Sequence, residues 1–142
     1  MRTIEQILKE KGPEMYGIGP DDPVLNALRL MAEKHVGALL VLKGQTLVGI
    51  LSERDYARKV ILLGRSSADT PVSQIMSSPV TTVTRAASVN TCLEMMTDRR
   101  IRHLPVVEND RVLGVLSIGD LVKAVIDDQR HTIEDLERFI RS

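Results

Sequence analysis

Apolar residues recur along the chain in two rhythms, and the same succession of rhythms occurs twice. Leu25, Leu28, Met31 and Ala32 fall at helical spacing, and the stretch ends near His35 and Val36. Asp22 is the expected N-cap of this helix, with Pro23 at its first position. Ala38 to Leu42 and Leu47 to Leu51 are β-rich runs joined by Lys43-Gly44-Gln45-Thr46, where Gly44 can supply a positive φ, so they predict a hairpin. Its counterpart is Leu104 to Val107, the turn Glu108-Asn109-Asp110-Arg111, and Val112 to Leu116, with Pro105 tolerable near a strand start. A closing helix is expected after each hairpin, from about Glu53 to Leu63 and from about Ile118 to Asp128. Short strands around Gly17 to Gly19 and Val80 to Thr84 open the two units, so each reads strand, helix, strand, strand, helix.

The two units are copies. Sliding the sequence by 65 residues lays 22–61 over 87–126 without a gap, and 11 of the 40 pairs are identical, where about 2 or 3 would match by chance. Each copy leaves one face of its sheet uncovered, so the expectation is α+β, two β-α-β-β-α repeats packed sheet to sheet around a pseudo-two-fold axis. The predicted boundaries are 12–65 and 70–128, with a polar connection at Gly64 to Asp69 and a capped helical turn at Thr70 to Met76. Thr3 to Glu10, ended by Gly12-Pro13, predicts a short helix before the first copy. Ile133, Leu136 and Ile140 mark an apolar stripe on a charged C-terminal helix over 129–142.

Composition narrows the function. With 19 Lys and Arg against 19 Asp and Glu, and only Tyr16, Tyr56 and Phe139 aromatic, the chain lacks the basic surplus and stacking platforms of a nucleic-acid binder. The longest run free of charged or strongly polar side chains is Val36 to Leu42, far short of the roughly 20 residues of a membrane span. Charges interrupt the N-terminal stretch, which excludes a secretory signal, and Cys92 has no intrachain partner, so a cytoplasmic, reducing location is expected. Cys92, Met31, Met95 and Met96 read as core. His35 and His131 have no partner at metal spacing, and no nucleophile elbow, P-loop or zinc motif occurs, so neither a metal site nor an enzyme is expected.

The sharpest local signal is Gly49-Ile50-Leu51-Ser52-Glu53-Arg54-Asp55, repeated as Gly114-Val115-Leu116-Ser117-Ile118-Gly119-Asp120. Each lies where a strand turns into a helix. Ser-x-x-Asp there is a capping box in its simplest reading. The same place also suits a phosphate at the helix N-terminus, with the carboxylate accepting two hydrogen bonds from a vicinal diol such as ribose. Gly49 and Gly114 read as sites of close packing.

These segments, with Val36-Gly37-Ala38-Leu39-Leu40-Val41 and Ile101-Arg102-His103-Leu104-Pro105-Val106-Val107, resemble the tandem cystathionine-β-synthase-type (CBS) domain pair, or Bateman module. The resemblance covers about residues 12 to 128. It implies a disc-like, homodimeric module whose clefts between repeats bind adenosine-containing ligands, each site combining the Ser-x-x-Asp of one repeat with strands of the other. By position, Ser52, Arg54 and Asp55 would face Val80, Thr81, Arg102, His103 and Leu104. Ser117 and Asp120 would face Tyr16, Gly17, Gly37, Ala38 and Leu39. Arg54 and Arg102, with His103 as a further donor, would form a phosphate clamp at Asp55, although Arg99, Arg100 and Arg102 equally read as a solvated helix end. At Asp120, Gly119 and Gly37-Ala38 replace those cations, so a weaker site is expected. Tyr16 is a candidate for base stacking.

The expected function is a regulatory adenine-nucleotide sensor that signals by conformational change to an effector protein. AMP, ADP, ATP and NAD(H) are the ligand candidates, with S-adenosylmethionine behind them. The alternative is a protein-interaction or dimerisation scaffold that binds no nucleotide.

Overall fold

The computed structural model describes residues 2–141, and its contacts divide them into two units. One is continuous, Met15–Val80. The other joins the N-terminal segment through Glu14 to everything from Thr81 onward.

In the Met15–Val80 unit, β1 (Gly17–Ile18) runs parallel to β2 (Ala38–Lys43), which pairs antiparallel with β3 (Thr46–Ser52). Helix α2 (Val24–Lys34) packs its Val24, Ala27 and Met31 against the buried Leu39, Val41 and Leu51. The β2–β3 turn has a positive φ of 65° at Gly44 alone, the pattern of a type II′ hairpin. Two expectations change here. Asp22 does not cap α2: its Oδ2 accepts the Gly19 N–H at 2.9 Å, and the residue at the cap is Pro23, which has no side-chain bond to give. The first helical N–H, of Val24, instead donates to the Thr70 carbonyl. The closing helix α3 is a short Glu53–Tyr56 that continues as a π-helical turn over Ala57–Ile61.

In the second unit, α4 (Val89–Arg99), β4 (His103–Glu108) and β5 (Arg111–Ser117) repeat this plan. The hairpins share a bulge at equivalent places, after Val41 and after Val106. Helices α2 and α4 both end on a left-handed residue, His35 and Arg100. The β4–β5 turn carries positive φ at both Asn109 and Asp110, so it is type I′.

The expected opening strand at Val80 to Thr84 shrinks to one parallel bridge, Val83 to Val106. The reason is Pro105. In the first repeat Leu40 donates its N–H to the Tyr16 carbonyl at 3.1 Å. Pro105 is the counterpart of Leu40 and has no N–H, so that rung cannot form.

The terminal segments differ from expectation as well. The closing helix of the second repeat and the C-terminal helix are one element, α5 (Ile118–Arg141). Ser142, the end of the predicted 129–142 helix, lies outside the described residues. Helix α1 (Ile4–Lys11), capped by a Thr3–Gln6 box, packs in the unit of the second repeat, not the first. Ile4 and Ile7 are buried with Cys92, Leu104, Leu116 and Leu121. The corresponding segment of the other unit is the 3-10 turn Val72–Gln74, whose Val72 and Ile75 are buried. Ile4-x-x-Ile7-Leu8 and Val72-x-x-Ile75-Met76 are the same pattern in the same role. Leu8 covers Gly114 and Met76 covers Gly49, so closely that a Cβ would stand 2.6 Å from Leu8 Cδ2 and 2.4 Å from Met76 Sδ. Both glycines are therefore places of close packing, as the sequence suggested.

Candidate functional site: two Ser-x-x-Asp turns

Both motifs form capping boxes at the strand-to-helix junction. Ser52 ends β3 and is the N-cap of α3. The Asp55 N–H donates to Ser52 Oγ at 3.2 Å, while Asp55 Oδ2 accepts the Ser52 N–H at 2.9 Å and the Ser52 hydroxyl at 3.0 Å. In the other unit, the Asp120 N–H donates to Ser117 Oγ at 3.2 Å and Asp120 Oδ2 accepts the Ser117 N–H at 2.8 Å. The preceding loop also serves each helix. The Glu53 N–H donates to the Gly37 carbonyl and the Ile118 N–H to the Arg102 carbonyl, at matching positions in the repeat. Capping is thus realised twice, and it fixes each aspartate at a strand end with half-buried surroundings.

Each expected site draws residues from both units, and each unit assembles its own set. In the Met15–Val80 unit, Ala38 pairs with Ser52 and Leu39 with Leu51 across the hairpin, so Gly37, Ala38 and Leu39 run beside the Ser52-Asp55 turn. Ser77 Oγ donates to Asp55 Oδ1 at 3.3 Å, and Lys59 Nζ lies 3.6 Å from the same oxygen. Arg54 is half-buried on the first turn of α3. Gly17 sits in β1, Val80 is half-buried, and the Tyr16 ring has the Lys34 ammonium 5.5 Å from its centroid.

In the other unit His103 pairs with Ser117 and the buried Leu104 with Leu116, which brings His103 and Leu104 alongside the Ser117-Asp120 turn. Arg102 is exposed at the entry to β4. Thr81 Oγ accepts from Arg99 at 3.4 Å.

The sequence reading left the Asp120 turn without a cation, and here it missed a residue. Lys11, at the C-terminal end of α1, places its Nζ 2.7 Å from Asp120 Oδ2 and 2.6 Å from the Val115 carbonyl. The signal was present in the aliphatic-x-x-Ile-(Leu or Met) pattern shared by α1 and the Val72 turn, which assigns α1 to the second repeat. The electrostatics follow. For Asp120, burial pushes the carboxyl pKa upward, but the Lys11 bond, the Ser117 donors and the Lys11 charge outweigh it and the net shift is down. His103 is held below the ordinary histidine value, first by burial and then by the charges of Lys11 and Arg102, against an upward pull from Asp120. Burial pushes the Cys92 thiol up, which suits its place in the core and not nucleophilic chemistry.

A groove between α1 and α5 is lined by Arg2, Gln6, Glu10, Asp127, His131 and Glu134. Its Arg2 is already paired with Glu10 and with Asp127. Among the described residues no group of His, Cys, Asp and Glu is arranged to hold a metal ion, and no helix is long and apolar enough to cross a membrane.

Comparison with known proteins agrees with this organisation. The CBS domain profile matches residues 13–61 and 72–127. The CBS domain-containing protein CBSX3, mitochondrial, of Arabidopsis thaliana is 40% identical over 148 residues, covering 98% of this chain and 72% of its own. The solved structure of a putative signal-transduction protein with CBS domains from Burkholderia ambifaria is 48% identical. It superposes with a TM-score of 0.86 over 90% of this chain and 96% of that one. A hexameric CBS-CP12 protein from bloom-forming cyanobacteria is 26% identical with a TM-score of 0.77, over 86% of this chain and 70% of its own.

Proposed function

Because the chain belongs to the CBS-domain family as a tandem pair of its repeats, we propose that it is a regulatory module that binds an adenosine-containing ligand at its Ser-x-x-Asp turns and signals the bound state to a partner protein. Tandem CBS domains are in general regulatory and ligand-binding. The observation that carries the finer reading is the duplicated turn itself. Two aspartates, each oriented by its own serine and each with a lysine beside it, present a carboxylate at a strand end in both repeats.

A carboxylate so fixed can accept both hydroxyls of a ribose, and charge-assisted bonds of this type are about twice as strong as neutral ones. The flanking ammonium groups suit phosphate. AMP, ADP, ATP and NAD(H) carry both features, and S-adenosylmethionine carries only the ribose. The module acts by population shift: the ligand favours one of two conformations by its differential affinity, and the partner protein recognises that conformation. This role is regulatory rather than catalytic. Self-association belongs to this reading: a stripe of α5 stays exposed, and the cyanobacterial relative is a hexamer.

Calorimetric titration with AMP, ATP, NADH and S-adenosylmethionine tests the reading, on the wild type and on Asp55→Ala and Asp120→Ala. Each variant keeps its serine cap but loses the aspartate's reciprocal bond to the cap N–H, costing about 1 kcal/mol of stability, so folding is verified first by circular dichroism. Saturable heat with at least one ligand, reduced at least tenfold in affinity by one or both substitutions, is expected. A folded wild type that gives no heat with any of the four would reduce both turns to caps and favour the scaffold.

A further inference from the structure

The two turns share their capping box and differ in the third group that reaches the aspartate. On Asp55 the segment after the Val72 turn contributes the Ser77 hydroxyl, a neutral donor at 3.3 Å. On Asp120 the equivalent segment, α1, contributes the Lys11 ammonium at 2.7 Å. We infer that Lys11 is the residue that sets ligand selectivity at the Asp120 turn, favouring anionic nucleotides over the neutral nucleoside. This rests on the nucleotide reading above and refines it.

Lys11 pairs with the same carboxylate oxygen that the Ser117 N–H contacts. A ribose diol that engages both carboxylate oxygens of Asp120 competes with the ammonium for Oδ2. Asp120 is the more enclosed partner, with side-chain exposure of 22% against 37% for Lys11, so the lysine is the side that moves. Its flexible stem lets the charge swing several ångström while α1 stays docked through Ile4, Ile7 and Leu8.

A neutral nucleoside leaves the displaced cation without a counter-ion beside His103, whose pKa is lowered first by burial and then by the charges of Lys11 and Arg102. A phosphorylated ligand supplies the missing anion. The resident ion pair therefore penalises adenosine and spares ATP, and the discrimination comes as much from the contact that must be broken as from the one that forms. At the Asp55 turn the group from the equivalent segment is a hydroxyl that water can satisfy when displaced, and the cation there, Lys59, stands farther off, 3.6 Å from Oδ1, so the penalty for its displacement is smaller.

The probes are adenosine and ATP, titrated calorimetrically into the full chain carrying Asp55→Asn. That substitution keeps an oxygen for the capping box and mutes the other turn. Lys11→Met is expected to lower the ratio of ATP to adenosine affinity by about tenfold or more, the weight of one charge-assisted contact. Lys11→Arg, which keeps the cation, is expected to preserve the ratio. An unchanged ratio in Lys11→Met, or equal loss of both ligands, overturns the role of Lys11 and leaves the nucleotide reading standing. Absence of binding in the wild type, before any substitution at Lys11, overturns both.

Discussion

Asp120 and His103 show how single residues are shaped by what folds around them. Both have their pKa held below the ordinary value, one as a paired acid and one as a half-buried base. In each case the unfolded chain binds more protons at acid pH than the native chain does, so stability rises with pH across the window where they differ. For His103 the contribution is complete above about pH 6.5, the unfolded value, and fades as pH falls through the lower native pKa. For Asp120 the loss comes below about pH 4. The charged groups facing His103 are Lys11, Asp120 and Arg102. The melting temperature is therefore expected to hold steady from pH 8 to about 6.5 and then decline in two stages. His103→Gln should flatten the upper stage and leave the lower one. Identical melting curves for His103→Gln and wild type between pH 5 and 7 would assign that stage to another group. The serine and aspartate of each turn were legible as caps from spacing alone, whereas Lys11 is far from Asp120 in sequence and is joined to it only by tertiary packing.

Among the elements, the hairpins and central helices follow from local pattern, and the departures have local causes. The II′ and I′ turns match their residues: Gly44 takes the one position needing positive φ, and Asn109-Asp110 occupies two such positions with residues that tolerate it. The missing opening strand of the second repeat is a sequence fact too, once Pro105 is laid over Leu40. Its absent N–H removes the rung that its counterpart makes to Tyr16. Restoring it is a direct test. In Pro105→Val, amide hydrogen exchange should show protection at residue 105 and slower exchange from Thr81 to Val83, with stability rising by about 0.5–1.5 kcal/mol if the new bond forms without strain. Fast exchange at residue 105 would mean that the Val80 to Thr84 segment is kept from β4 by something other than the proline. Less legible was the length of α5. Helical spacing continues through Asp127, Asp128 and Gln129 without a Gly or Pro, so nothing in the sequence stops the helix where the repeat ends.

At the scale of the molecule, chain order and unit membership do not coincide. The N-terminal helix completes the core of the second repeat, and the continuous Met15–Val80 segment folds around its own. Beyond that core, every side chain of α5 from Gln129 to Arg141 is exposed, yet Ile126, Ile133, Leu136 and Ile140 keep one stripe apolar, Ile140 to 80% exposure. An isolated helix of ~12–15 residues is marginal in water, so burying this stripe against a partner would stabilise the extension. Charge along its flank suits a second copy. Lys123, Arg130 and Glu137 follow one another at seven-residue spacing beside the stripe, so an antiparallel pair centred on Arg130 sets Glu137 against Lys123 of the other chain at both ends, two opposite-charge contacts against one Arg130–Arg130 contact at the centre, which a parallel pair cannot do. Burying one large aliphatic side chain is worth about 1.5–3 kcal/mol. Ile133→Glu is thus expected to weaken self-association at least tenfold by sedimentation equilibrium and to lower helical content in circular dichroism, while Lys123→Glu with Glu137→Lys restores what either reversal alone removes. A wild type that sediments as a monomer at tens of micromolar, or an Ile133→Glu variant that associates as before, would show that this stripe does not join two copies of the chain.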